Sequence, residues 1–141
     1  MYGRCIVNRK SIRVLVVYRP SRTGAAIGLF FEEISSLLEE VVVCSVELLI
    51  IGDFNFHMDD TADRYAVQFG SLLELFNLKQ HVTVRTYTSG HILDLVISRK
   101  DAEALKVNEL VVMEQFKGLC HGSPVHFVKF CQLLSLNRYG T

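Results

Sequence analysis

Two spacings of apolar residues alternate along the chain, and each predicts a different element. Ile12 to Tyr18 (IRVLVVY) is a β-branched run stopped by Pro20, which predicts a strand covered on both faces. Ile27, Phe30, Phe31, Ile34, Leu37, Leu38 and Val41 follow at three and four spacing, with Glu32, Glu33, Glu39 and Glu40 on the opposite side: an amphipathic helix. Glu47 to Asn55 (ELLIIGDFN) places four large apolar residues before a glycine and a carboxylate, the pattern of a central strand reaching its C-terminal end. A turn is expected over His57 to Asp63. A second helical pattern, Tyr65, Phe69, Leu72, Leu73 and Phe76, ends near Asn77, with Asp60 or Asp63 capping its start. His81 to Tyr87 (HVTVRTY) and Ile92 to Ser98 (ILDLVIS) read as strands joined through Thr88, Ser89 and Gly90, and Val107 to Met113 and Val125 to Phe130 add two more. Strands and helices in alternation predict an α/β layered fold, and no linker, repeat or low-complexity segment divides residues 1–141.

Composition sharpens this picture. At 141 residues and 50% apolar content the chain can fill one core, and the scarcity of glycine and proline excludes collagen and disorder. The formal net charge is zero, which argues against a broadly basic nucleic-acid coat. The balance conceals a segregation: residues 1–25 carry six cations and no carboxylate, residues 26–78 ten carboxylates against Arg64, and residues 79–141 eight cations against five acids. The longest apolar stretch, Val41 to Gly52, is interrupted by Ser45 and Glu47, too short for a membrane span. No small-residue cleavage site follows Val14 to Tyr18, so no signal peptide is expected and the default address is intracellular. Cys5, Cys44, Cys120 and Cys131 show no paired spacing, which disfavours zinc and makes them small buried hydrophobes.

Few residues are placed for chemistry. Strand alternation puts Asp53 and Asn55 on one side and Phe54 on the other, at the strand end where α/β sheets habitually bind ligands. Asp53 can take a proton from water or bind a cation, and Asn55 can donate to a phosphate oxygen; local turn bonds are the alternative for both. Asp94 sits inside an apolar strand on the face of Val96, so its carboxylate needs a partner: a histidine it orients, or a structural donor such as Arg85. Tyr18 ends its strand beside Arg19 and Arg22, where its phenol can meet an anion or simply pack. His57, His81, His91 and His126 have no metal-ligand spacing and read as surface or edge residues, and no glycine-rich phosphate loop is present.

The ordered set Tyr18-Arg19-Pro20, Gly52-Asp53-Phe54-Asn55 and Leu93-Asp94-Leu95-Val96-Ile97-Ser98 resembles the endonuclease/exonuclease/phosphatase (DNase I-like) superfamily. It is most similar to the apurinic-type endonuclease domain of LINE-type non-LTR retrotransposons, over about residues 12–130. The resemblance implies a partial four-layer α/β sandwich, two sheets face to face between helices, and Mg²⁺-dependent hydrolysis of a DNA phosphodiester, nuclear in a functional copy. By position it makes Asp53 the water-activating base, Asn55 and Tyr18 the groups at the scissile phosphate, and Asp94 the acid that orients a catalytic histidine. Arg19 and Arg22 are weak phosphate contacts.

Two departures accompany it. The resemblance begins after the family's opening Asn strand and metal-binding Glu, so a single, N-terminally truncated domain is expected. The family's terminal Ser-Asp-His-x-Pro-Val falls on Cys120, His121, Gly122, Ser123, Pro124 and Val125, which leaves glycine at the histidine position. Together they predict a degenerate endonuclease with little or no activity and no small-molecule cofactor. Competing readings are a non-catalytic nucleic-acid-binding module using Arg9, Lys10, Arg13, Arg19 and Arg22, and a phosphatase-type member of the same superfamily. Missing opening strands also imply an unpaired sheet edge and poor solubility.

Overall fold

The computed structural model describes residues 2–7, 10–20, 24–83, 85–86, 88 and 90–102. Within them the chain runs β1 (Tyr2–Val7), β2 (Lys10–Tyr18), α1 (Ala25–Val42), β3 (Glu47–Asp53), α2 (Arg64–Leu75), β4 (Leu78–Gln80) and β5 (Asp94–Arg99). The strands form a five-stranded mixed sheet in the order β1-β2-β3-β5-β4. Only β2 and β3 run parallel, joined through α1 as a crossover unit; the other pairs are antiparallel. The architecture is α/β, as the alternating patterns predict.

The central strand is buried as its sequence requires, with Leu48, Leu49, Ile50 and Ile51 all at 1% exposure or less. α1 buries Ile27, Phe31, Ile34, Leu38 and Val41, the stripe its spacing marks, and α2 buries Ala66, Phe69 and Leu73. The helices meet over an aromatic cluster. Phe31 stacks on Phe56 with ring centroids 5.7 Å apart, and Phe69 lies 4.9 Å from Phe54 and 5.4 Å from Phe56. Phe54 and Phe56, the alternate residues of the segment after β3, thereby anchor that segment to both helices.

Asp63 caps α2, its side chain accepting from the backbone N–H groups of Tyr65 and Ala66. Asp60 instead closes the preceding turn by accepting from Ala62 N. The helix stops where Asn77 takes a left-handed φ of 54° and its N–H donates to the Glu74 carbonyl.

The structure departs from the sequence reading in three places. The residues before Ile12 supply a strand: β1 pairs with β2 from Tyr2↔Leu15 to Val7↔Lys10, so β2 has a partner on both sides, and among the described strands β1 and β4 stand at the ends of the order. Only Asn8 and Arg9 separate the paired Val7 and Lys10. Glycine and arginine at positions 3 and 4 hide this strand from a search for apolar alternation.

The strand expected over His81 to Tyr87 is absent from the described residues there, and β4 lies just before it. His81 N still donates to the Val96 carbonyl at 2.8 Å, but the Gln80 amide then bonds both the N–H and the carbonyl of Val82. A side chain thus takes the role of a neighbouring strand and ends the ladder. Third, β3 ends at Asp53 instead of Asn55. The strands expected at Val107 to Met113 and Val125 to Phe130 lie outside the described residues.

Candidate functional site

Strand register brings three of the expected residues into a row. Tyr18 at the end of β2 pairs with Asp53 at the end of β3, and Asp53 pairs with Asp94 at the start of β5. Register partners share a face, so the phenol and the two carboxylates lie side by side across three strands. Asp94 lies on the face of Val96, as alternation requires, and Asp53 stands directly opposite it. Tyr18 is 68% exposed, while Asp53 and Asp94 are half-buried.

Two like charges opposite one another in a partly desolvated position resist ionising together. Burial first, and then the neighbouring Asp94 carboxylate, push the Asp53 carboxyl above the ordinary aspartate value. The Asn55 amide groups and the Arg19 guanidinium oppose that rise without cancelling it.

Gly52 makes the row possible. A Cβ at this position would lie 1.8 Å from the Val17 carbonyl oxygen and 2.7 Å from its carbon. Only glycine lets β2 and β3 approach closely enough for Tyr18 and Asp53 to pair.

The turn after Asp53 differs from simple alternation. Asn55 has a φ of 52°, so it leaves the extended conformation, and its N–H donates to Asp53 Oδ1 at 3.1 Å. Asparagine tolerates this left-handed conformation where most residues resist it. Its side-chain Nδ2 donates to the Arg19 carbonyl at 2.6 Å, which fastens the amide to the end of β2.

Arg19 also lies away from its expected place. It is only 7% exposed, its Nε donates to the Phe54 carbonyl, and Nη2 donates to the Asn55 carbonyl at 2.6 Å. The guanidinium carbon sits 4.1 Å from the Phe56 ring centroid. A guanidinium bonded to two backbone carbonyls and laid on an aromatic face serves the chain, a structural role with which the phosphate contact expected of Arg19 would have to compete. Arg22 lies outside the described residues, as do Cys120, His121, Gly122 and His126.

Around Asp94, the Thr86 hydroxyl accepts from the backbone N–H groups of Leu93 at 2.9 Å and Asp94 at 3.1 Å. One threonine side chain therefore fixes the entry into β5, a role no spacing in the sequence announces. Arg85, considered as a structural donor to Asp94, is exposed. His81 Nε2 lies 2.7 Å from the buried Ser98 Oγ.

His57 and His91, 34 positions apart in sequence, stack with centroids 3.9 Å apart and planes within 6°. His91 Nδ1 is 3.4 Å from Asp59 Oδ2, an ion-pair distance without hydrogen-bond alignment. The same Asp59 accepts from Ile92 N at 3.0 Å, and Ile92 and His91 together hold its carboxyl below the ordinary value. This cluster ties the loop after β3 to the approach to β5. Sequence spacing could not find it, because only the fold brings the two loops together.

A hollow of about 270 Å³ opens between β2 and α1, lined by Leu15 to Tyr18, Phe30, Glu33, Ile34 and Leu37. Its walls include Tyr18 but neither Asp53 nor Asp94. Among the described residues no group of three or more histidine, cysteine, aspartate or glutamate side chains can hold a metal ion. No described helix is long and apolar enough to cross a membrane. No family model matches the chain, and no curated protein matches it.

Proposed function

We propose that this chain is a degenerate form of a magnesium-dependent DNA phosphodiester hydrolase of the endonuclease/exonuclease/phosphatase type, similar to LINE-type retrotransposon endonuclease domains. In the finer reading its sheet is one layer of a partial four-layer DNase I-like sandwich. The observation that carries the proposal is the Tyr18–Asp53–Asp94 row: three residues of motifs dispersed over more than seventy positions lie side by side at adjoining strand ends. A structural role alone gives no reason to place two carboxylates opposite each other on half-buried strands.

In this reading Asp53 is the base for an attacking water, and its raised pKa brings it closer to the working range of a general base. Tyr18, exposed at the end of the row, donates to a phosphate oxygen. Asp94 keeps Asp53 from ionising too readily; its family role of orienting a histidine has no counterpart at Gly122, which carries no side chain. Asn55 is committed to the Arg19 carbonyl and must release that bond to reach a phosphate.

With no group of three metal-ligating side chains among the described residues, and glycine at the position that the resemblance gives to the terminal histidine, the chain in this reading turns over little or nothing. Loss of a general acid/base group alone commonly costs about 10²-fold or more. A purely nucleic-acid-binding role is the weaker reading, because Arg19, one of its five cations, is buried on backbone carbonyls. The test is nicking of supercoiled plasmid with Mg²⁺. The expected result is conversion no faster than that by Asp53→Ala; robust nicking abolished by Asp53→Ala overturns the degenerate reading.

A further inference from the structure

We infer that Arg19 is a positioning residue, whose guanidinium clamps the turn that carries Asp53 and Asn55 and thereby sets the placement of the Asp53 carboxylate. This rests on the reading of Asp53 as the reactive acid of the site.

The clamp is built from both sides. Arg19 N donates to the Asp53 carbonyl at 2.8 Å, which extends the β2–β3 pairing one residue past Tyr18. The guanidinium then reaches over the next two residues, donating to the carbonyls of Phe54 and Asn55. Asn55 returns the bond, its Nδ2 donating to the Arg19 carbonyl at 2.6 Å. Four hydrogen bonds thus join Arg19 to three consecutive residues across the strand boundary.

The aromatic cluster supplies the floor, with the guanidinium carbon 4.1 Å from the Phe56 centroid and 5.8 Å from that of Phe30. A planar fork lying on a ring and pointing two donors at adjacent carbonyls is a geometry lysine cannot reproduce. The consequence reaches the carboxylate through Asn55: its left-handed conformation aims its N–H at Asp53 Oδ1, and the Arg19 bond to the Asn55 carbonyl holds that conformation. The positive charge beside Asp53 also favours its ionised form. Arg99 offers a contrast within the same molecule. Its Nη2 donates to the Val42 and Cys44 carbonyls at the far end of α1, a comparable clamp with no contact to the row.

The experiment follows the Asp53 side-chain carboxyl by carbon NMR across a pH titration, and Asn55 amide hydrogen exchange, in wild type, Arg19→Met, Arg19→Lys and Arg99→Met. Arg19→Met is expected to raise the Asp53 midpoint by about half a pH unit or more and to speed Asn55 exchange about tenfold or more. Arg19→Lys is expected to keep the midpoint closer to wild type while exchange stays fast, because it restores charge without the fork. Arg99→Met is expected to lower the melting temperature and leave both readouts unchanged. A folded Arg19→Met with wild-type titration and exchange overturns the inference. So does full recovery of both readouts by lysine, and so does failure of both Arg19 variants to fold, which would make the clamp a requirement of the whole fold. None of these outcomes depends on nicking: an active wild-type chain would overturn the degenerate reading and leave the clamp standing.

Discussion

Asp63 does two jobs with one carboxylate. One oxygen caps α2 through Tyr65 N and Ala66 N, and the other accepts from His57 N at 3.0 Å, tying the loop after β3 to the helix start. Burial pushes its carboxyl up, but the backbone donors of His57, Ala66 and Tyr65 together bring it below the ordinary value. A carboxylate with a lowered folded-state pKa contributes stability above its unfolded value, and that contribution is lost as pH falls through the folded one. Asp63→Ala is therefore expected to cost about 1 kcal/mol or somewhat more at pH 7. The gap between wild type and variant narrows as pH drops below about 4. Urea denaturation of both chains from pH 7 to pH 3 measures this; a gap that widens in acid contradicts it.

Among the elements, β3 and its glycine decide whether the row exists. Gly52→Ala places a methyl group against the Val17 carbonyl, and backbone has no rotamer with which to yield. A loss of about 1–3 kcal/mol or more is expected, with weakened exchange protection along β2, and a variant as stable as wild type contradicts the close approach. Elements with strong apolar periodicity were readable from the residues: α1, α2, β2, β3 and β5 all fall within two residues of their patterns. β1 and β4 were not. β1 is held by pairing with a strand that already has its own strong pattern, and β4 is three residues long and ends on a side-chain contact between Gln80 and Val82. The site was legible to the same extent. Asp53, Asp94 and Tyr18 announce themselves as polar groups at the ends of apolar runs, but their register depends on which strands are neighbours. Arg19 looked like a free cation because sequence does not show that two carbonyls and a phenylalanine ring lie beneath it.

For the whole molecule, the segregated charge acquires a location. The acidic middle segment contributes Asp53 to the row and Glu32, Glu33, Glu39 and Glu40 to α1. The basic leading segment contributes β1 and β2, on the opposite side of the sheet order from β5. Two carboxylates end up adjacent although they lie 41 positions apart in sequence, and burial first, then the facing Asp94, makes Asp53 resist ionisation. In the proposed reading the base and its raised pKa both depend on that pairing. A silent nicking assay has many causes, whereas the pairing has one. Its most direct test is the titration of Asp53 in wild type and in Asp94→Asn. Removing the facing charge is expected to lower the Asp53 midpoint, while the melting temperature at neutral pH stays level or rises. An Asp53 carboxyl that titrates identically in the two proteins would contradict the central claim that these two acids form one site.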